Sequence, residues 1–318
     1  MCKVVQGLFG FASIWCFAMP ASATDMLRRL GYGDDAKALI IHADDLGMSH
    51  AVNEASIGAL ENGIVTSGSI MVPCPWFPEI AAYCREHPEL DVGLHLTLTS
   101  EWKYYRWRPV ASLERVPGLI DEEGFLWRSV EQVAQHATPQ EVETELRAQI
   151  ERALQFGVKP THIDSHMGTL FAKPEFFNVY VQLGREYGLP PMLINPTLPV
   201  RLMMRARGLS FSDAQLNGLQ QSGLPMLDVL NTGEKGDSYE ARKAAYHHAL
   251  RNLAPGVTQI IVHLSTDAPE IRHIMNWWQR RHDEFRIFTD AETRQLIDDL
   301  GIHLIGWREM QALMPVSE

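Results

Sequence analysis

Short apolar runs alternate with stretches of helical spacing along nearly the whole chain, and this alternation constrains the fold more than any other feature. Strand-like runs fall at 38–43, 64–72, 92–98, 161–165, 192–195, 226–230, 259–264 and 302–305. Between them the spacing predicts helices over 51–60, 77–86, 139–156, 175–187, 239–253 and 291–300. Ser49 and Thr138 stand where N-caps belong, Pro139 takes a first helical position, and Gly157 and Gly301 follow helix ends. Repeated strand–helix units call for a parallel sheet. About seven such units exceed a small open sheet, so the expected fold is α/β, a single deformed (β/α) barrel of about seven parallel strands, TIM-barrel-like. Two segments interrupt the alternation: 100–135, rich in Trp, Tyr and Arg, and 198–223, rich in Met, Arg and Gln. Both are expected to be inserts at the C-terminal ends of barrel strands, where loops carry function.

The N-terminus reads as a secretory signal. Lys3 precedes an apolar stretch over 8–19, Pro20 breaks it, and Ala21, Ser22 and Ala23 form a small-residue cleavage site. The expected organisation is a signal peptide at 1–23 and one barrel domain at 24–318, secreted or periplasmic. The apolar stretch is too short for a stable membrane span. Beyond the leader only Cys74 and Cys84 remain, and the sequence leaves both a disulfide and two buried thiols open. A net charge of -11 disfavours nucleic acid and anionic surfaces as partners and favours neutral or cationic substrates. A homo-oligomer is compatible with this composition.

Four strands place acids or histidines at or near their C-terminal ends. The first ends in Asp44-Asp45, where a turning backbone would let both carboxylates reach one cavity. The second holds His95 in an apolar run, with Gly93 permitting close approach of a neighbour. The third alternates His162, Asp164 and His166 on one strand face, with Asp164 suited to orient a ligating histidine. The fourth ends in His263. Each has a bland reading, a helix cap or a hydrogen-bonded core histidine. Barrel topology gathers all four ends around one cavity, which makes the set point to chemistry.

The segments HADDLGMSHAVNEASIGALENGIVTSGSIMV, VGLHLTLTSEW and PTHIDSHMG resemble the YdjC/ChbG-like carbohydrate deacetylase family. The resemblance is specific over 38–171, weaker over 174–256, and returns at IIVHLST and near the C-terminus. It implies a deformed barrel with one divalent cation. By position Asp45, His95 and His166 match the metal ligands, Asp44 the general base and His263 the general acid. The chain departs from the pattern in having Leu264-Ser265 after His263 instead of Pro-Gly, and Met167-Gly168 where further histidines are common.

Two histidines and a carboxylate leave coordination positions open for water and substrate. Their softness favours Zn²⁺, and the resemblance implies Mg²⁺ as often. The expected reaction is hydrolysis of an N-acetyl group on an amino-sugar or oligosaccharide of the N-acetylglucosamine type, without a covalent intermediate. Trp102, Tyr104, Tyr105 and Trp107 are read either as flat rings that stack on sugars or as a satellite core under a long loop. The alternative function is a non-catalytic sugar-binding protein on the same barrel.

Overall fold

The computed structural model describes residues 23–209 and 211–315, so the expected signal segment lies almost wholly outside the described residues. Seven strands form one sheet: β1 (Lys37–Leu46), β2 (Ser67–Ile70), β3 (Val92–Leu96), β4 (Ile163–Ser165), β5 (Val229–Asn231), β6 (Gly256–His263) and β7 (His303–Leu304). Their order is β4-β3-β2-β1-β6-β5, with β7 also on β1, and every pairing is parallel. Parallel neighbours need crossover connections, which the intervening helices supply.

β1 lies at the centre and explains why. Leu39, Ile40 and Ile41 are all fully buried, as expected for a strand covered on both faces. Each such side chain contributes about 1.5–3 kcal/mol on leaving water. β1 pairs with β6 from Lys37 to Asp44, while β7 and β2 share its other edge in succession.

The gap between β4 and β5 is bridged by the segment 190–195. Met192 N–H donates to Ile163 O at 2.8 Å, and Asn195 N–H donates to Leu227 O at 2.8 Å. The strand expected over 192–195 is therefore present only as isolated bridges. Pro190, Pro191 and Pro196 lack the N–H groups a longer ladder would use. The barrel closes here, but in deformed shape.

The helices follow the caps read from the sequence. His50–Asn62 starts at Ser49, whose hydroxyl accepts from Val52 N–H. Pro139–Gln155 starts with a reciprocal pair between Thr138 and Glu141. Trp278–Phe288, a helix the periodicity did not predict, packs against β6. The 198–223 insert folds into the helices Leu198–Ala206 and Asp213–Gln220. Its Phe211 packs edge-to-face on Phe177 of the outer helix Pro174–Glu186, with centroids 4.9 Å apart. Cys74 and Cys84 are both free and buried, which selects the thiol reading. Among the described residues no helix is long and apolar enough to cross a membrane.

Candidate active site

The cavity at the C-terminal end of the sheet begins with an irregularity in β1. Its pairing with β2 shifts register between Ala43 and Leu46. Asp45 sits inside that shift with φ of 69°, a left-handed conformation that aspartate tolerates better than most residues. The bulge turns the chain so that Asp44 and Asp45, which a regular strand would point to opposite faces, both reach the same buried space.

β3 and β4 supply the opposite wall. His95 and Asp164 are register partners, and His95 Nδ1 donates to Asp164 Oδ1 at 2.7 Å. Asp164 Oδ2 accepts from Ser69 Oγ at 2.9 Å and lies 3.1 Å from His42 Nε2. His42 Nε2 is also 3.1 Å from Asp44 Oδ1, so one imidazole links the two carboxylates. Burial opposes charge on His42, but the bonded carboxylates of Asp164 and Asp44 outweigh it and push the ring up to about 9. Burial likewise opposes ionisation of Asp164, yet His95 and His42 hold its carboxyl well below the usual range.

His162 has a different role from the other strand-end histidines. Its ring stacks on Trp307 at 4.9 Å and meets His42 edge-on at 5.0 Å. Burial and the neighbouring His42 push it well below its ordinary value, so it is a neutral core residue. A Cβ on Gly93 would lie 2.5 Å from this ring. The close approach read at Gly93 is thus approach by His162.

Among the described residues three groups of His and Asp offer donor atoms close enough to share an ion. Two of them contain Asp164, whose oxygens are already committed to His95, His42 and Ser69. The third, Asp45 with His95 and His166, has donor atoms that face one another without that commitment. Asp45 Oδ1 is 3.5 Å from His95 Nε2 and 3.5 Å from His166 Nδ1. Bond lengths of about 2.0–2.2 Å put neighbouring ligand atoms on one ion roughly 3–3.5 Å apart. Asp45 Oδ1 is buried and has no hydrogen-bond partner, the state of an atom whose partner is a cation. The far nitrogen of each imidazole meets a carboxylate, Asp164 for His95 and Glu101, at 3.2 Å, for His166. Such outer carboxylates fix ring orientation in metal sites. Burial opposes charge on His166, but Glu101 and Asp45 push the ring up to about 10. These residues fit a divalent cation.

β6 completes the cavity in register with β1, for His263 pairs with Asp44. His263 Nε2 lies 3.9 Å from Asp44 Oδ2, and its side chain keeps 23% exposure, leaving this side of the cavity open. Its backbone N–H donates to the buried Glu284 at 2.7 Å. Burial pushes the imidazole down against the opposing charge of Asp45. Leu264 and Ser265 follow β6 in irregular backbone, and Ser265 N–H donates to Arg281 O at 3.3 Å.

The five residues expected as ligands, base and acid therefore share one cavity, with Asp164 directly behind His95. Of the two readings of Trp102 and Trp107, the packed one fits their burial. Both rings are buried, 5.3 Å apart and edge-to-face, and Trp107 Nε1 donates to Thr99 O at 2.9 Å. An indole N–H with a backbone partner inside the loop is more stable packed than presented to solvent, and both rings join the main hydrophobic core. Four contributors escaped the sequence reading. His42 could have been found, since it alternates with Asp44 on β1. Ser69, Glu101 and Arg281 carried no local signal. Arg281, fully buried in Trp278–Phe288, pairs with Asp45 Oδ2, and its guanidinium lies 4.6 Å from the centroid of Trp277.

A family model described as YdjC-like protein matches residues 38–299. The chain is 31% identical over 293 residues to a carbohydrate deacetylase of Thermus thermophilus, covering 90% of this chain and 98% of that one. It is 32% identical over 179 residues to a chitooligosaccharide deacetylase of Proteus mirabilis, covering 56% of this chain and 67% of the other. A solved structure from Enterococcus faecalis V583, described as a cellobiose-phosphate cleavage protein, superposes with a TM-score of 0.70 at 27% identity. That superposition covers 86% of this chain and 99% of the other. The fold and its site define a barrel with an Asp/His centre at the strand ends. The chain belongs to the YdjC-like family.

Proposed function

We propose that the protein is an exported, metal-dependent deacetylase that hydrolyses the N-acetyl group of an amino-sugar or oligosaccharide of the N-acetylglucosamine type. The observation that carries the reading is Asp45 Oδ1, buried without a hydrogen-bond partner at 3.5 Å from both His95 and His166. The names of the Thermus and Proteus relatives support an acetylated carbohydrate as substrate. The N-terminal apolar stretch and its small-residue site support export.

A divalent ion held by Asp45, His95 and His166, Zn²⁺ or Mg²⁺, would supply a Lewis-acid charge that polarises the acetamide carbonyl and acidifies a water. Asp44 lies next to that centre and takes the proton of the attacking water as its oxygen bonds to the carbonyl carbon. His42 holds Asp44 at its other oxygen, so the carboxylate stays aimed while it accepts the proton. His263, across from Asp44, gives a proton to the nitrogen as the C–N bond breaks, releasing acetate and the free amine. Asp164 and Glu101 keep the two ligating imidazoles in place throughout.

The test is acetate release from N-acetylglucosamine oligomers after chelation and re-addition of Zn²⁺ or Mg²⁺. Acetate restored by an ion is the expected result. Retained sugar binding with no release under any ion would replace the deacetylase by a sugar-binding protein.

A further inference from the structure

We propose that Arg281 is a positioning residue that makes Asp45 a one-oxygen ligand, an inference that rests on the metal-dependent reading above. The two oxygens of Asp45 have divided surroundings. Oδ1 faces the two histidines and has no hydrogen-bond donor, whereas Oδ2 is taken by the Arg281 guanidinium.

Arg281 is built to stay there. Its side chain is fully buried, and a guanidinium removed from water is costly unless it is paired. The Trp277 ring covers it at 4.6 Å, and Asp45 is the carboxylate it reaches. Its Nε and Nη1 are buried and have no hydrogen-bond partner, so the pairing to Asp45 anchors this end of the side chain. The segment after β6 is tied to the same residue, because Ser265 N–H donates to Arg281 O. One residue thus connects the ligand on β1 to the segment that follows His263.

The consequence is chemical. A carboxylate with a free second oxygen can close on an ion with both, using up a position that water or substrate needs. With Oδ2 occupied, each of the three ligands offers one atom. The guanidinium also offsets the charge of Asp45, so less of the ion's charge is neutralised by its own ligands.

The experiment uses the full-length protein with Co²⁺ as the probe. Visible absorption and chelator-competition affinity are measured for wild type, Arg281→Met and Arg281→Lys. Arg281→Met frees Oδ2 and removes a neighbouring positive charge. Its Co²⁺ affinity is expected to rise about tenfold as the repulsion between guanidinium and ion is removed, with a weaker visible band as the coordination number increases. Arg281→Lys restores a cation at Oδ2 and is expected to keep the wild-type band. A purely structural role for Arg281 predicts the opposite, a loss of affinity along with the fold. An unchanged band, or a lower affinity, in folded Arg281→Met overturns the proposal. If that variant does not fold, Trp277→Ala, which removes a ring that is 44% exposed, carries the test. It loosens the guanidinium and is expected to shift the band in the same direction, and an unshifted band overturns the proposal. A wild-type protein that takes up no Co²⁺ would instead sink the metal reading itself.

Discussion

His95 and Asp164 face each other across β3 and β4 in direct register, joined by a 2.7 Å hydrogen bond from Nδ1 to the carboxylate. The bond commits Nδ1 and leaves Nε2 to face Asp45. Asp164→Asn is expected to lower metal affinity by about 10–100-fold through loss of that orientation. Chelator competition measures it, and an unchanged affinity would mean the ring is held by packing alone.

Asp44 and Asp45 are neighbours with separable duties. Asp44→Asn is expected to keep the metal and lose about 10²–10⁴-fold in turnover. Asp45→Asn is expected to lose metal and turnover together. Metal content after gel filtration, set beside acetate release, separates the two, and an Asp44→Asn enzyme near the wild-type rate would end its assignment as base.

His263 Nε2 lies 3.9 Å from Asp44 and is not one of the three proposed ligands. His263→Ala should bind the ion as wild type does and turn over roughly 10²-fold more slowly. Wild-type turnover in this variant would move the proton-donating role to another group.

The charge on His42 makes a prediction about pH and stability. Its folded value of about 9 lies above the ordinary imidazole value of about 6.5. The folded state therefore binds this proton more tightly than the unfolded state. The resulting stability is fully present below about pH 6.5 and is lost as pH rises through about 9, by at most about 1.4 kcal/mol per pH unit. Chelated wild-type protein should lose more stability between these pH values than chelated His42→Gln. Parallel urea-midpoint curves for the two would show that His42 carries no such charge.

Gly93→Ala places a methyl 2.5 Å from the His162 ring, which cannot retreat because it is stacked on Trp307. Overpacking of this kind costs about 1–3 kcal/mol. A urea midpoint equal to wild type would show that the ring has room to move.

The site was legible in the sequence to the extent that it lies on strand ends. Asp44, Asp45, His95, Asp164 and His263 each sit in or just beyond an apolar run, and parallel topology alone brings such positions together. Arg281 was invisible for the opposite reason. It stands 236 residues from Asp45 on a helix with no distinct apolar stripe, and only tertiary packing joins them. The aromatic cluster was ambiguous because a Trp has the same sequence signature on a surface as in a small core. The bond from Trp107 Nε1 to Thr99 O decides it. The strand expected at 192–195 failed where prolines flank it, since an apolar run reports burial but not the donors a ladder requires.

The left-handed backbone at Asp45 also limits how this site can change over generations. At φ of 69° a β-branched or bulky side chain is strained, while asparagine accepts the conformation nearly as well as aspartate. Most replacements at this position thus damage the chain and the chemistry at once. Asparagine, the near-isosteric choice, keeps the backbone conformation but leaves the buried Arg281 guanidinium without its carboxylate. Even that replacement, one nucleotide change away at GAY to AAY, calls for a second change at Arg281 before the barrel tolerates it.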